Sequence, residues 1–162
     1  MAYSLTMATH KLDKPILQAL DSTGVETAVH TLGYKVRSTD GREFTYVEFD
    51  NGTAVAAVAG GPAFWQSDTT AYTATSDASA GADLAIGAFC SILTDAYYGW
   101  IQTEGLVVDP PSSGTQAVCA AGDVLYGTDA VWKTGAIGTN HIGAVALETG
   151  TGAVGDIMLI KS

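Results

Sequence analysis

The chain has 162 residues, 47% apolar and 15% charged, with 17 acidic against 7 basic side chains and a formal net charge of -10. One domain, or one domain with an ordered arm, fits this length and buries roughly 70% of its unfolded surface. The few Lys and Arg are scattered from Lys11 to Lys161, which argues against nucleic acid as a partner, and no segment approaches the ~20 apolar residues of a membrane span.

The 19 glycines, with plentiful Ala and Thr and no run suited to a long helix, are the profile of a turn-rich all-β protein, a small antiparallel β-barrel or β-sandwich. Residues 1–26 read as a flexible N-terminal arm, in which Lys11 to Leu20 is long enough only for a short helix. Its start, MAYSLTMATHKLDKP, lacks the basic opening and apolar run of a signal peptide, so synthesis and assembly in a cytoplasm is the expectation.

Residues 27–162 read as the β-rich domain, with 60–111 either part of it or an insertion or subdomain. Its first element is LGYKVRSTDGREFTYVEFDNG, in which Asp40-Gly41 suits a two-residue hairpin turn. That turn pairs Arg37 with Phe44 and Lys35 with Tyr46 on one face, as cation and aromatic pairs. The other face then holds Tyr34, Val36, Val47 and Phe49, interrupted by Thr45. The following TAVAAVAGGPAFW is read as a short strand and turn, and Gln66 to Asp83 as an exposed loop or weak edge strand.

Leu84 to Leu93 and Tyr97 to Gly105 read as strands about a turn at Thr94-Asp95. An even-length loop sets Ile86, Ala88 and Cys90 with Gly99, Ile101 and Thr103 on the core side. The opposite face then carries Phe89, Leu93, Tyr98 and Trp100. Either that strand is sandwiched inside its own domain, or the rings are a contact surface for another subunit, or they form an idle exposed rim. In the last third, AGDVLY and VGDIMLI read as Gly-Asp turns leading into strands, and the strand Ile142 to Glu148 should pair with Ile157 to Ile160.

No reactive constellation stands out. The G-x-G-x-x-G at Gly150–Gly155 is followed at once by a strand rather than a helix, which argues against a nucleotide. His10, His30 and His141 lie in separate elements without ligand spacing, and there is no G-x-S-x-G. Cys90 and Cys119 read as buried free thiols, with a disulfide as the alternative. The expectation is a protein with no catalytic, cofactor or metal site.

Three stretches, YKVRSTDGREFTYVEFDNG, AAGDVLYG and IGAVALETGTGAVGDIMLIKS, resemble virion structural proteins of tailed bacteriophages, in particular the small capsid decoration or cement proteins. The resemblance implies a β domain on the outer capsid surface, often a homotrimer, that ties neighbouring major capsid protein subunits together. On this reading Phe89, Tyr98 and Trp100 form a buried contact surface, and Lys35, Arg37, Phe44 and Tyr46 a wetter one. The alternatives are a tail or fibre component that binds a host surface, or a secreted β-rich binding module.

Overall fold

The computed structural model describes residues 24–52, 54–66, 71–79, 81–108, 118–135, 143–151 and 156–160. Most of the expected arm, with its short helix, therefore lies outside the described residues, as do His10 and His141. The chain is all-β, and no helix occurs among the described residues.

Five strands close into a barrel: β2 (Glu43–Phe49), β4 (Thr73–Thr75), β3 (Pro62–Gln66), β5 (Gly81–Phe89) and β6 (Tyr98–Val107), with β6 returning to pair with β2. The β2–β4 contact is parallel and the other four are antiparallel. A short β1 (Lys35–Arg37) takes the edge of β2 at Glu43–Thr45, which β4 leaves vacant by pairing only at Glu48 and Phe49. Closure abolishes the unpaired edges that an open five-stranded sheet would expose.

The second half of the chain extends the sheet past β6. The order continues through β12 (Ile157–Leu159), β10 (Ala144–Ala146), β8 (Val124–Thr128) and β9 (Val131–Thr134). A separate two-stranded ribbon joins β7 (Val118–Cys119) to β11 (Gly150–Thr151). The expected pairing of the last two long strands is present, with Val145 opposite Met158.

Three apolar clusters follow from this arrangement. Val47, Phe49, Ala63, Ala74, Phe89 and Ile101 fill the barrel, and Leu93 closes one end of it. Phe64, Ala85 and Ala88 point outward from β3 and β5 and are covered by Leu125, Trp132, Ala144 and Ile157 of the C-terminal strands. Trp132 is buried with its polar atom satisfied, since Nε1 donates to the Gly60 carbonyl at 2.8 Å. The third cluster, Val36, Phe44, Tyr46, Cys90 and Trp100, lies on the outside of β2 and β6.

Two registers differ from those expected. Lys35 stands opposite Thr45 and Val36 opposite Phe44. The cause is the loop, which is Thr39–Gly41 closed by Ser38 N–H donating to Arg42 O at 2.9 Å, with Gly41 at φ 91 as its third residue. A three-residue loop ending in a left-handed glycine shifts the pairing by one and turns every side chain over relative to the two-residue reading. The cation above Phe44 is accordingly Arg42, 5.5 Å from the ring centre, rather than Arg37.

Phe89 stands opposite Ile101, so it points into the barrel and not outward with Trp100. The connection Cys90–Tyr97 is longer than a tight turn and folds Leu93 back into the barrel end. Thr73 to Asp77, read as part of an exposed loop or weak edge strand, are buried because β4 is a full member of the ring. The stretch 60–111, read either as part of the β-rich domain or as an insertion or subdomain, supplies four of the five barrel strands.

Candidate functional site

The aromatic face expected to meet another subunit is covered by this chain's own residues. Trp100 is 2% exposed and Phe89 1%. Val25 and Tyr98 exchange two backbone hydrogen bonds, at 3.0 and 2.9 Å, which sets Val25 beside the edge of β6 at Tyr98. His30 then stands over the cluster, 5.1 Å from Tyr46, 5.4 Å from Trp100 and 5.5 Å from Tyr34 between ring centroids. The Val29 N–H donates to the Tyr46 hydroxyl at 3.2 Å. Burial pushes the Tyr46 phenol above its ordinary pKa, more than that hydrogen bond offsets.

Phe89, Trp100, Phe44 and Tyr46 are thus core residues and not a free surface, while Tyr98 is half-buried. Lys35 and Arg37 are exposed. They bind locally instead of forming a patch with the rings, Lys35 to Glu43 at 3.5 Å and Arg37 to Glu104 at 3.8 Å. The aromatic excess of YYGWIQTEG is explained by a strand sandwiched within its own domain. Cys90 and Cys119 are free and buried, and burial pushes the Cys90 thiol up to about 12.

The apolar surface left outside lies elsewhere. Leu106 on β6 stands opposite Met158 on β12, Met158 opposite Val145 on β10, and Val145 opposite Val124 on β8. These four side chains make one row across four strands. Leu106 and Met158 are 38% and 39% exposed, and Val145 and Val124 are half-buried. The alternate residues of the same strands, Val107, Ile157 and Ala146, are buried against the barrel. The sheet is therefore apolar on both faces, where a solvated sheet alternates apolar and polar. Val108 and Ile160, at 60% and 43%, extend the exposed band. In the sequence this face is hidden because LETGTGAVGDIMLI reads as a wholly buried strand after a turn.

A second feature is the open end of the barrel, opposite the end that Leu93 closes. A cavity of about 210 Å³ lies there, walled by Thr45, Thr103, Trp65 and Ile86 from four different barrel strands. Tyr72, just before β4, and Ile160, just after β12, complete its sides, and the Lys35–Glu43 ion pair stands at its edge. Trp65 and Tyr72 meet edge to face at 5.7 Å. The Thr103 hydroxyl donates to the Glu43 carbonyl at 3.3 Å, whereas the buried Thr45 hydroxyl has no hydrogen-bond partner. Thr45 and Thr103 are the polar breaks in two inward rows, and that is the signal by which sequence reasoning could have found this site.

Among the described residues, no group of three His, Cys, Asp or Glu side chains gathers where a metal ion would need them. No protein-family model matches the chain, and no curated protein matches it.

Proposed function

We propose that this is a virion structural protein of the capsid decoration type, acting by adhesion to the outer shell and tying neighbouring major capsid subunits together. The observation that carries the reading is the outward row Leu106–Met158–Val145–Val124, an apolar strip in register across four strands of an otherwise acidic chain. A partly exposed apolar strip of this kind is the composition of an interface centre, which gains from being covered. The net charge of -10 also suits an outer face, since packaged nucleic acid would repel it. The sequence resemblance points to the same class, with the homotrimer as the expected state.

The test is co-sedimentation with expanded shells of the cognate phage, alongside sedimentation velocity of the free protein. The wild type should be trimeric and pellet with the shells, while Met158→Glu should remain folded and stay in the supernatant. A monomer that does not pellet overturns the proposal, as does a Met158→Glu variant that binds equally well. Binding to host cells with none to shells overturns it in favour of a tail or fibre role.

A further inference from the structure

We infer that the open end of the barrel is a binding site for one neutral monosaccharide ring, independently of whether the protein binds a capsid. The cavity of about 210 Å³ is smaller than the roughly 300–1,000 Å³ pockets that take drug-sized ligands, so its occupant is about one ring in size.

The walls specify its chemistry. Trp65 and Tyr72, set edge to face, offer apolar surface to the C–H face of a ring. Lys35 supplies donors and Glu43 acceptors on the same rim, 3.5 Å apart. Because these two charges compensate one another, the rim has no net preference for an anion or a cation. It suits instead a ligand whose hydroxyls both donate and accept.

Two further observations separate this mouth from an ordinary wet barrel end. The Thr45 hydroxyl is buried and makes no hydrogen bond, an unfavourable arrangement unless something satisfies it. Thr45 is also one of the residues that line the cavity. Tyr72 is held at φ 72, in the left-handed region that an aromatic residue rarely adopts. Such strain persists where the surroundings over-determine a side chain's position, and it gathers at ligand clamps.

Titration with D-glucose, D-galactose and N-acetyl-D-glucosamine, read by tryptophan fluorescence, tests the inference. Of the three tryptophans, Trp100 and Trp132 are buried at 2% and 1%, so a change on binding reports Trp65. At least one sugar should give a saturable change with a millimolar midpoint. Thr45→Val and Lys35→Met should each weaken it about tenfold, the effect of one lost hydrogen bond of about 1.4 kcal/mol. Thr45→Val removes an orphaned hydroxyl at constant shape, so its thermal midpoint should be equal to or above the wild type. Glucuronate, carrying a charge, should bind more weakly than glucose. The inference is overturned if none of the three sugars gives a saturable response up to about 100 mM. It is equally overturned if both variants respond like the wild type, or if glucuronate is preferred.

Discussion

Tyr46 and Trp100 stand directly opposite one another on β2 and β6, with ring centroids 5.1 Å apart at 62°. The pair closes the barrel seam from outside, and His30 covers both rings. Trp100→Ala should cost about 3–5 kcal/mol in urea unfolding, the range for an emptied aromatic core site. Tyr46→Phe keeps the ring and loses only the bond from the Val29 N–H, so about 0.5–1.5 kcal/mol is expected.

Gly87 on β5 packs so closely against β6 that a methyl group there would run into the Gln102 carbonyl oxygen. Backbone rather than a flexible side chain blocks the space, so the two strands must separate. Gly87→Ala should destabilise by about 1–3 kcal/mol, and hydrogen exchange should rise along the β5–β6 ladder more than in β8–β9.

Cys90 should resist thiol reagents in the native protein and react on unfolding, because its thiol is buried. Its pKa rises on folding from 9.0 to about 12, so its contribution to stability is complete below 9.0 and is lost as pH climbs toward 12. The stability gap between wild type and Cys90→Ala should therefore narrow over that alkaline range in paired denaturant titrations.

Asp40 organises the β1–β2 loop. Slight burial raises its pKa, but bonds from the Ser38 hydroxyl, the Arg42 N–H and the Arg42 guanidinium hold the carboxyl below the ordinary value of 3.8. A lowered carboxyl stabilises the fold above its unfolded pKa and ceases to as pH falls through the folded one. Asp40→Ala should be less stable than wild type at neutral pH, and the two should converge below pH 3.8.

The all-β class, the β1–β2 hairpin and the terminal β10–β12 pair were legible because period-two patterning and Gly or Asp turns are local signals. The register of the hairpin was not, since TDG serves a two-residue and a three-residue loop equally well, and one residue of difference sends Phe44 and Tyr46 to the other face. Phe89 was misjudged for the same reason, through the length of the Cys90–Tyr97 connection. The stretch holding β4 reads only as an exposed loop or weak edge strand because Thr73–Thr75 carries no apolar run, and its burial comes from neighbours distant in the chain. The barrel mouth collects side chains from Lys35 to Ile160, a convergence that no local pattern encodes.

Strand β6 belongs to two structures at once. Its residues Tyr98–Glu104 are hydrogen-bonded into the barrel, and Gly105–Val107 carry β12 and the sheet beyond it. The Gln102 side chain braces the crossing by donating to the carbonyls of Glu104 and Leu106 at 3.2 and 2.8 Å. A pull at Leu106 along the strand axis therefore loads these ladder bonds together, in shear. One continuous strand thus couples the outer apolar strip to the closed ring.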